Sequence, residues 1–173
     1  MNLEELADIV DTMIVQHDYP GFEPRALILG LPSEAVNAPA KVFAQALGHD
    51  SIYVQLAALR WFQVHNGVVK NYLPRVLDLL ASTDEFVRVE AARTIERANL
   101  NDQKALLALA ASLKDPQEIV RTAAAKALGK LLSKAPVQNP DIVAALKEAA
   151  ADPDEQVRWK AQKALRKMGA YST

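Results

Sequence analysis

The chain has 173 residues, with 20 Lys and Arg against 21 Asp and Glu and a formal charge of −1. That suffices for one domain with a core of its own and supplies no overall field toward nucleic acid or membrane. Half of the residues are hydrophobic and none is cysteine, which excludes disulfides, thiolate metal sites and cysteine nucleophiles.

In chain order, the opening Met1-Asn2-Leu3-Glu4-Glu5 has neither the basic nor the apolar region of a secretory signal. No apolar run nears the roughly 20 residues of a membrane span, so a soluble, cytoplasmic protein is expected. Leu3 to Val15 has the spacing of one amphipathic helix. Tyr19 to Pro39 holds Pro20, Pro24, Pro32 and Pro39, with room for a short helix over Arg25 to Leu31. Residues 1–39 are read as an irregular N-terminal cap over the apolar end of a helical stack.

From residue 40 to 173 the sequence repeats, in units of approximately 40–66, 67–99, 102–133 and 140–169. Val54, Val87, Val120 and Val157 mark equivalent points. Four residues past each stands Ala58, Ala91, Ala124 or Ala161; eight past stands Phe62, Ile95, Leu128 or Leu165. Positions 0, +4 and +8 share one face of an α-helix. The alanine lets a neighbouring helix come close. A second helical pattern of three to four turns precedes each of these helices, so the unit is a helix pair. Breakers at Asn66-Gly67, Asn99 to Asp102 and Pro136 to Pro140 separate the units. No stretch alternates with period two, and no sheet is expected.

Five residues before the anchors stand Ser82, Asp115 and Asp152, with Glu85, Glu118 and Glu155 three residues on. This spacing predicts N-caps closed by capping boxes, with Pro116 and Pro153 in the first helical position. The first unit has His49 at the cap position, so Asp50 or Ser51 is expected to cap instead.

The run Asp-Pro-x-x-x-Val-Arg-x-x-Ala-x-x-x-Leu, from Asp115 to Leu128 and from Asp152 to Leu165, resembles the HEAT repeat, and most of all the short variety known from phycobilisome lyases. A looser copy spans Ser82 to Ile95, and a degenerate one His49 to Phe62. The resemblance implies an all-α, right-handed α-α superhelix of about four helix pairs. Its bearing on function is broad: scaffolds, adaptors, chaperones, bilin lyases and some DNA glycosylases use this repeat. It favours a structural ladder for the motif arginines Arg88, Arg121 and Arg158 over an anion-binding row. Gln55 replaces the first of them.

A second basic series runs at +6 (Arg60, Arg93, Lys126, Lys163) and +10 (Arg97, Lys130, Lys167). In a solenoid whose second helices line the inner groove, these residues make a strip for an acidic partner, interrupted by Glu90 and Glu96. Two readings stand for Trp159: a contact point beside the lysines, or packing on a neighbouring repeat. Trp61 is expected in the core. The reading is therefore a protein-binding scaffold rather than an enzyme, with Arg60, Arg93, Arg97, Lys126, Lys130, Trp159 and Lys163 as contacts. Its alternatives are a lyase-like or chaperone role on phycobiliproteins, implied by the resemblance, and nucleic-acid binding with a DNA-glycosylase-like activity. His17, His49 and His65 lack metal-ligand spacing, and the scattered glycines form no phosphate loop, so neither metal nor cofactor is expected.

Overall fold

The computed structural model describes residues 1–16, 31–134 and 139–169. Among these residues every regular element is helical. The helices are α1 (Leu3–Gln16), α2 (Ser33–Val36), α3 (Ala40–Ala46), α4 (Ile52–Val64), α5 (Leu73–Asp78), α6 (Glu85–Arg97), α7 (Gln103–Ala111), α8 (Glu118–Lys134), α9 (Pro140–Ala149) and α10 (Glu155–Lys167). Three 3-10 stretches, Asn66–Tyr72, Leu79–Ala81 and Ser112–Lys114, flank α5 and follow α7. The short helix expected over Arg25 to Leu31 lies, but for Leu31, outside the described residues, as do His17 and Asp18.

The anchors and their +4 and +8 partners are all fully buried: Val54, Ala58 and Phe62 on α4, then the matching trios on α6, α8 and α10. These four helices pack on one another in sequence order, each backed by the helix before it, so the fold is a two-layer solenoid of four helix pairs. α1 packs on α3 and α4, burying Leu6 and Val10, and covers the first pair. Trp61 is core, stacked between Phe43 at 4.4 Å and His65 at 4.0 Å. Its indole N–H donates to the Val36 carbonyl at 2.7 Å, which ties α2 to the stack.

The first helices of the pairs are shorter than three to four turns: α3 has 7 residues, α5 has 6 and α7 has 9. Pro74 explains the second unit. It has no N–H for a carbonyl one turn back, and its ring crowds that carbonyl, so the α conformation does not extend into Asn66–Tyr72. Asn99, with φ 53°, closes α6: the Leu100 N–H donates to the Ile95 carbonyl at 3.3 Å, a left-handed cap.

The capping boxes are not formed. The N-caps are Asp84, whose carboxylate accepts from the Val87 N–H at 2.9 Å, and Asp154, which accepts from Val157 at 3.0 Å. Ser82, Asp115 and Asp152 lie two residues earlier and accept from the N–H two residues on, at 3.3, 2.9 and 2.8 Å. Pro116 and Pro153 therefore stand in the turn, ahead of the helix. The turn before each helix leaves Asp115 and Asp152 free to bind something else. Arg88 grips Asp115 through Nε at 2.7 Å and Nη2 at 3.0 Å; Arg121 grips Asp152 at 2.8 and 3.0 Å. Each arginine also donates through Nη1 to two carbonyls of its own turn. Arg158 makes only that second set, to the Asp152 and Pro153 carbonyls at 2.7 Å each.

In the first unit, neutral groups do this work. The Ser51 N–H donates to His49 Nδ1 at 3.0 Å, and Gln55 Nε2 donates to the His49 carbonyl at 2.7 Å. Neither Asp50 nor Ser51 caps with its side chain: Ser51 is the N-cap position and makes no such bond.

Candidate functional site

At about 100° per residue, the 0/+4/+8 stripe of α4, α6, α8 and α10 faces the first-helix layer, and +1 faces the ladder. Positions +2, +5 and +9 face the following helix, where α8 brings Gly129 within 3.3 Å (from an added Cβ) of Ala164. What remains free is the side carrying −1, +6 and +10, which holds the basic series.

The N-terminal half of that series is drawn into the fold. Arg60 is only 7% exposed; its Nη1 donates to Gln63 Oε1 at 2.8 Å and lies 3.2 Å from Glu90 Oε2. Gln63 Nε2 donates to Glu90 Oε2 at 2.7 Å, and the Thr94 hydroxyl donates to the Glu90 carbonyl at 2.8 Å. Arg93, half-exposed, pairs with the other oxygen of Glu90. A buried carboxylate thus holds two guanidinium groups across the α4–α6 seam, as burial of a charge demands. Arg97 is exposed at the end of α6.

The C-terminal half is different. Lys126 and Lys130 share one carboxylate, buried Glu96, at 3.3 and 3.6 Å. Lys163 and Lys160 lie over the ring of Trp159, 4.6 and 4.4 Å from its centroid, a cation–π arrangement. Trp159 is 45% exposed; it occupies +2, where Leu56 and Val89 are buried against the next helix. Burial pushes the Lys160 ammonium below its ordinary pKa, and the like charges of Lys126 and Lys163 push it the same way, against the pull of Glu96. Lys167 reaches back to the Gly129 carbonyl at 3.4 Å.

Lys160 was not among the expected contacts. Its position, +3, carries Ala57, Glu90 and Ala123 in the other units, and that departure from the repeat was the available signal. Four ammonium groups, one carboxylate and an exposed indole make a surface that can take acidic groups next to an apolar one. Among the described residues, no three His, Asp or Glu side chains converge as a metal site would require, and no helix is long and apolar enough to cross a membrane.

A family model described as HEAT repeats matches residues 40–129. A second, described as non-SMC mitotic condensation complex subunit 1, matches residues 89–173. No curated protein matches the chain. Among solved structures, one engineered protein is similar with a TM-score of 0.61 and 25% identity, over 83% of this chain and 42% of that one. Another has a TM-score of 0.61 and 19% identity over 99% and 87%. The complex of CpcE and CpcF of phycocyanin lyase from Nostoc sp. PCC7120 is similar with 0.51 and 18%, over 86% and 70%. The chain thus spans less than half the length of the first of these.

Proposed function

The chain belongs to the HEAT-repeat family, and from that premise we propose that it is a binding module holding an acidic stretch of another protein against the free side of α8 and α10. The observation that carries this is the crowding of Lys126, Lys130, Lys160 and Lys163 around a single carboxylate and an exposed tryptophan. Buried Glu96 accounts for Lys126 and Lys130, but Lys160 and Lys163 make no ion pair among the described residues, and like charges this close cost folding free energy, so the fold alone does not ask for these two. Arg97 and Arg93 extend the surface toward α6, while Arg60 contributes through Glu90 rather than by contact.

Exposed ion pairs are worth about 0.2–1 kcal/mol each, so four lysines supply roughly 1–4 kcal/mol, and the indole anchors the rest. The direct test is binding of a labelled poly-glutamate peptide at low and at physiological salt. Capture should be salt-sensitive and fall at least about tenfold for the Lys126→Glu/Lys163→Glu pair, since each 1.4 kcal/mol is a factor of ten. Unchanged binding in that variant ends the proposal, and tighter capture of duplex DNA of equal charge replaces it with nucleic-acid binding. The likeness to the phycocyanin lyase pair, at 18% identity, is one of fold.

A further inference from the structure

We propose, resting on the acidic-partner reading above, that the bound segment is an amphipathic α-helix laid across α6, α8 and α10 with apolar residues at heptad spacing. The starting point is position −1, one residue before each anchor. Phe86 is 49% exposed and Ile119 is 39% exposed there. Single exposed apolar residues need no explanation, but these two hold the same register on adjacent helices. Position −1 lies within roughly 20° of +6 and +10 around the helix axis, so the side that carries the basic residues carries these too.

Each helix therefore reads apolar first and basic after: Phe86 then Arg93, Ile119 then Lys126. On α10, position −1 is Gln156, and Trp159 supplies the apolar group ahead of Lys163. The free face is zoned crosswise, with one apolar row and one basic row running from helix to helix.

The dimensions select the occupant. Packed helices lie about 8–10 Å apart, which is the step along each row. An α-helix rises about 10.5 Å in seven residues and returns to the same side. A β-extended segment presents same-side residues every 6.7 Å or so, out of step with the rows. A polyproline helix repeats every ~9.3 Å and matches the step. The two rows, however, are seven residues apart on α6 and α8, again ~10.5 Å, and four residues, ~6 Å, apart on α10, and an α-helix of roughly 10–12 Å diameter covers both at once. Its apolar stripe would meet Phe86, Ile119 and Trp159, and its acidic flank Arg93, Lys126 and Lys163.

The experiment is fluorescence anisotropy with four labelled synthetic peptides of equal net charge. The first carries Leu every seventh residue and Glu on one flank. The second is a shuffle of it, the third replaces Leu with Ser, and the fourth is a proline-rich peptide with Leu every third residue. The first should bind at least about tenfold tighter than the second, and Phe86→Ser/Ile119→Ser should erase that preference while leaving the third peptide's affinity unchanged. These positions are exposed, and unchanged thermal melts verify that the variant is folded. Equal binding of the first two peptides, a preference that survives the serine variant, or tightest binding of the proline-rich peptide overturns the helix assignment. The acidic-partner reading survives each of those results if the third peptide still binds with salt sensitivity. No binding by any peptide at low salt removes both.

Discussion

Removing one rung of the arginine ladder tests how the pairs are held together. In Asp152→Ala the carboxylate that accepts from Arg121 Nε at 2.8 Å and Nη2 at 3.0 Å, and from the Asp154 N–H at 2.8 Å, is lost. Both side chains are largely buried. Charge-assisted bonds of this kind contribute ~1.5–3 kcal/mol net, and an unpaired, partly buried guanidinium adds to the loss. Arg121 keeps its bonds to the Asp115 and Pro116 carbonyls, which moderates the total to about 3 kcal/mol. For a chain of this size that lowers Tm by roughly 6–12 °C.

Thermal and urea unfolding followed by circular dichroism read the effect, and a double-mutant cycle with Arg121→Met should return a coupling of about 2 kcal/mol. Burial alone would raise the Asp152 carboxyl pKa, but the bonds from Arg121 and the Asp154 N–H, with the charges of Arg121 and Arg158, outweigh it and hold it below its ordinary value of 3.8. The rung's contribution is thus complete above about pH 4 and fades as pH falls through the folded-state pKa. Asp152→Ala should flatten the stability profile in that acid window. Arg158→Met, which breaks only carbonyl bonds, should cost about 1 kcal/mol. A coupling near zero, or equal costs for Arg121→Met and Arg158→Met, refutes the bidentate rung as the source of cohesion.

Ala124→Leu, at a fully buried position of the α8 stripe that faces the first-helix layer, should cost about 2–3 kcal/mol by overpacking, measured as a lower urea midpoint. Glu90→Ala removes the buried carboxylate that pairs with Arg60 and Arg93 and accepts from Gln63 in the α4–α6 seam and should cost about 3 kcal/mol, with Glu90→Gln recovering part of it in the same melt. Iodide should quench the fluorescence that distinguishes wild type from Trp159→Phe several-fold more effectively than caesium, because two ammonium groups flank that ring; the difference should close at high salt.

The second helix of each pair was legible because one stripe must be buried and its period is 3.6. Val87, Val120 and Val157 are equivalent, as their spacing required. The caps fall two residues later than expected for a chemical reason: Ser and Asp serve both N-caps and two-residue side-chain turns, and the choice depends on which N–H the oxygen meets. Asp84 and Asp154 repeat in the sequence as plainly as Asp115 and Asp152 do, so a signal for the true caps existed. The burial of Arg60 was not legible, since its partner Glu90 lies 30 residues on, and only the stagger of α4 against α6 joins +6 to +3. Trp159 turned out exposed because α10 has no helix on its +2 side among the described residues. The apolar row at −1 was missed because Phe86 and Ile119 sit just outside the stripe that defines the repeat.

The four sides of these helices also explain where sequence is at liberty to serve a partner. The first-layer stripe, the ladder and the inter-helix seam are each committed to packing or to buried pairs, so a substitution there is felt in stability. On the free side of α8 and α10 the fold gains nothing from like charges: Lys160 is already discharged more easily than an ordinary lysine by its burial and by Lys126 and Lys163. Lys163→Glu should therefore stabilise the free protein, by about 0.5–1 kcal/mol from relieved repulsion and new exposed pairing, while weakening capture of acidic peptides. Such opposed changes are the mark of a surface kept for binding at the expense of stability. Thermal melts and peptide anisotropy on the same variant decide it: a Lys163→Glu protein that is less stable than wild type would mean the lysine is there to hold Trp159 against α10, and the argument that its charge exists for a partner would fail.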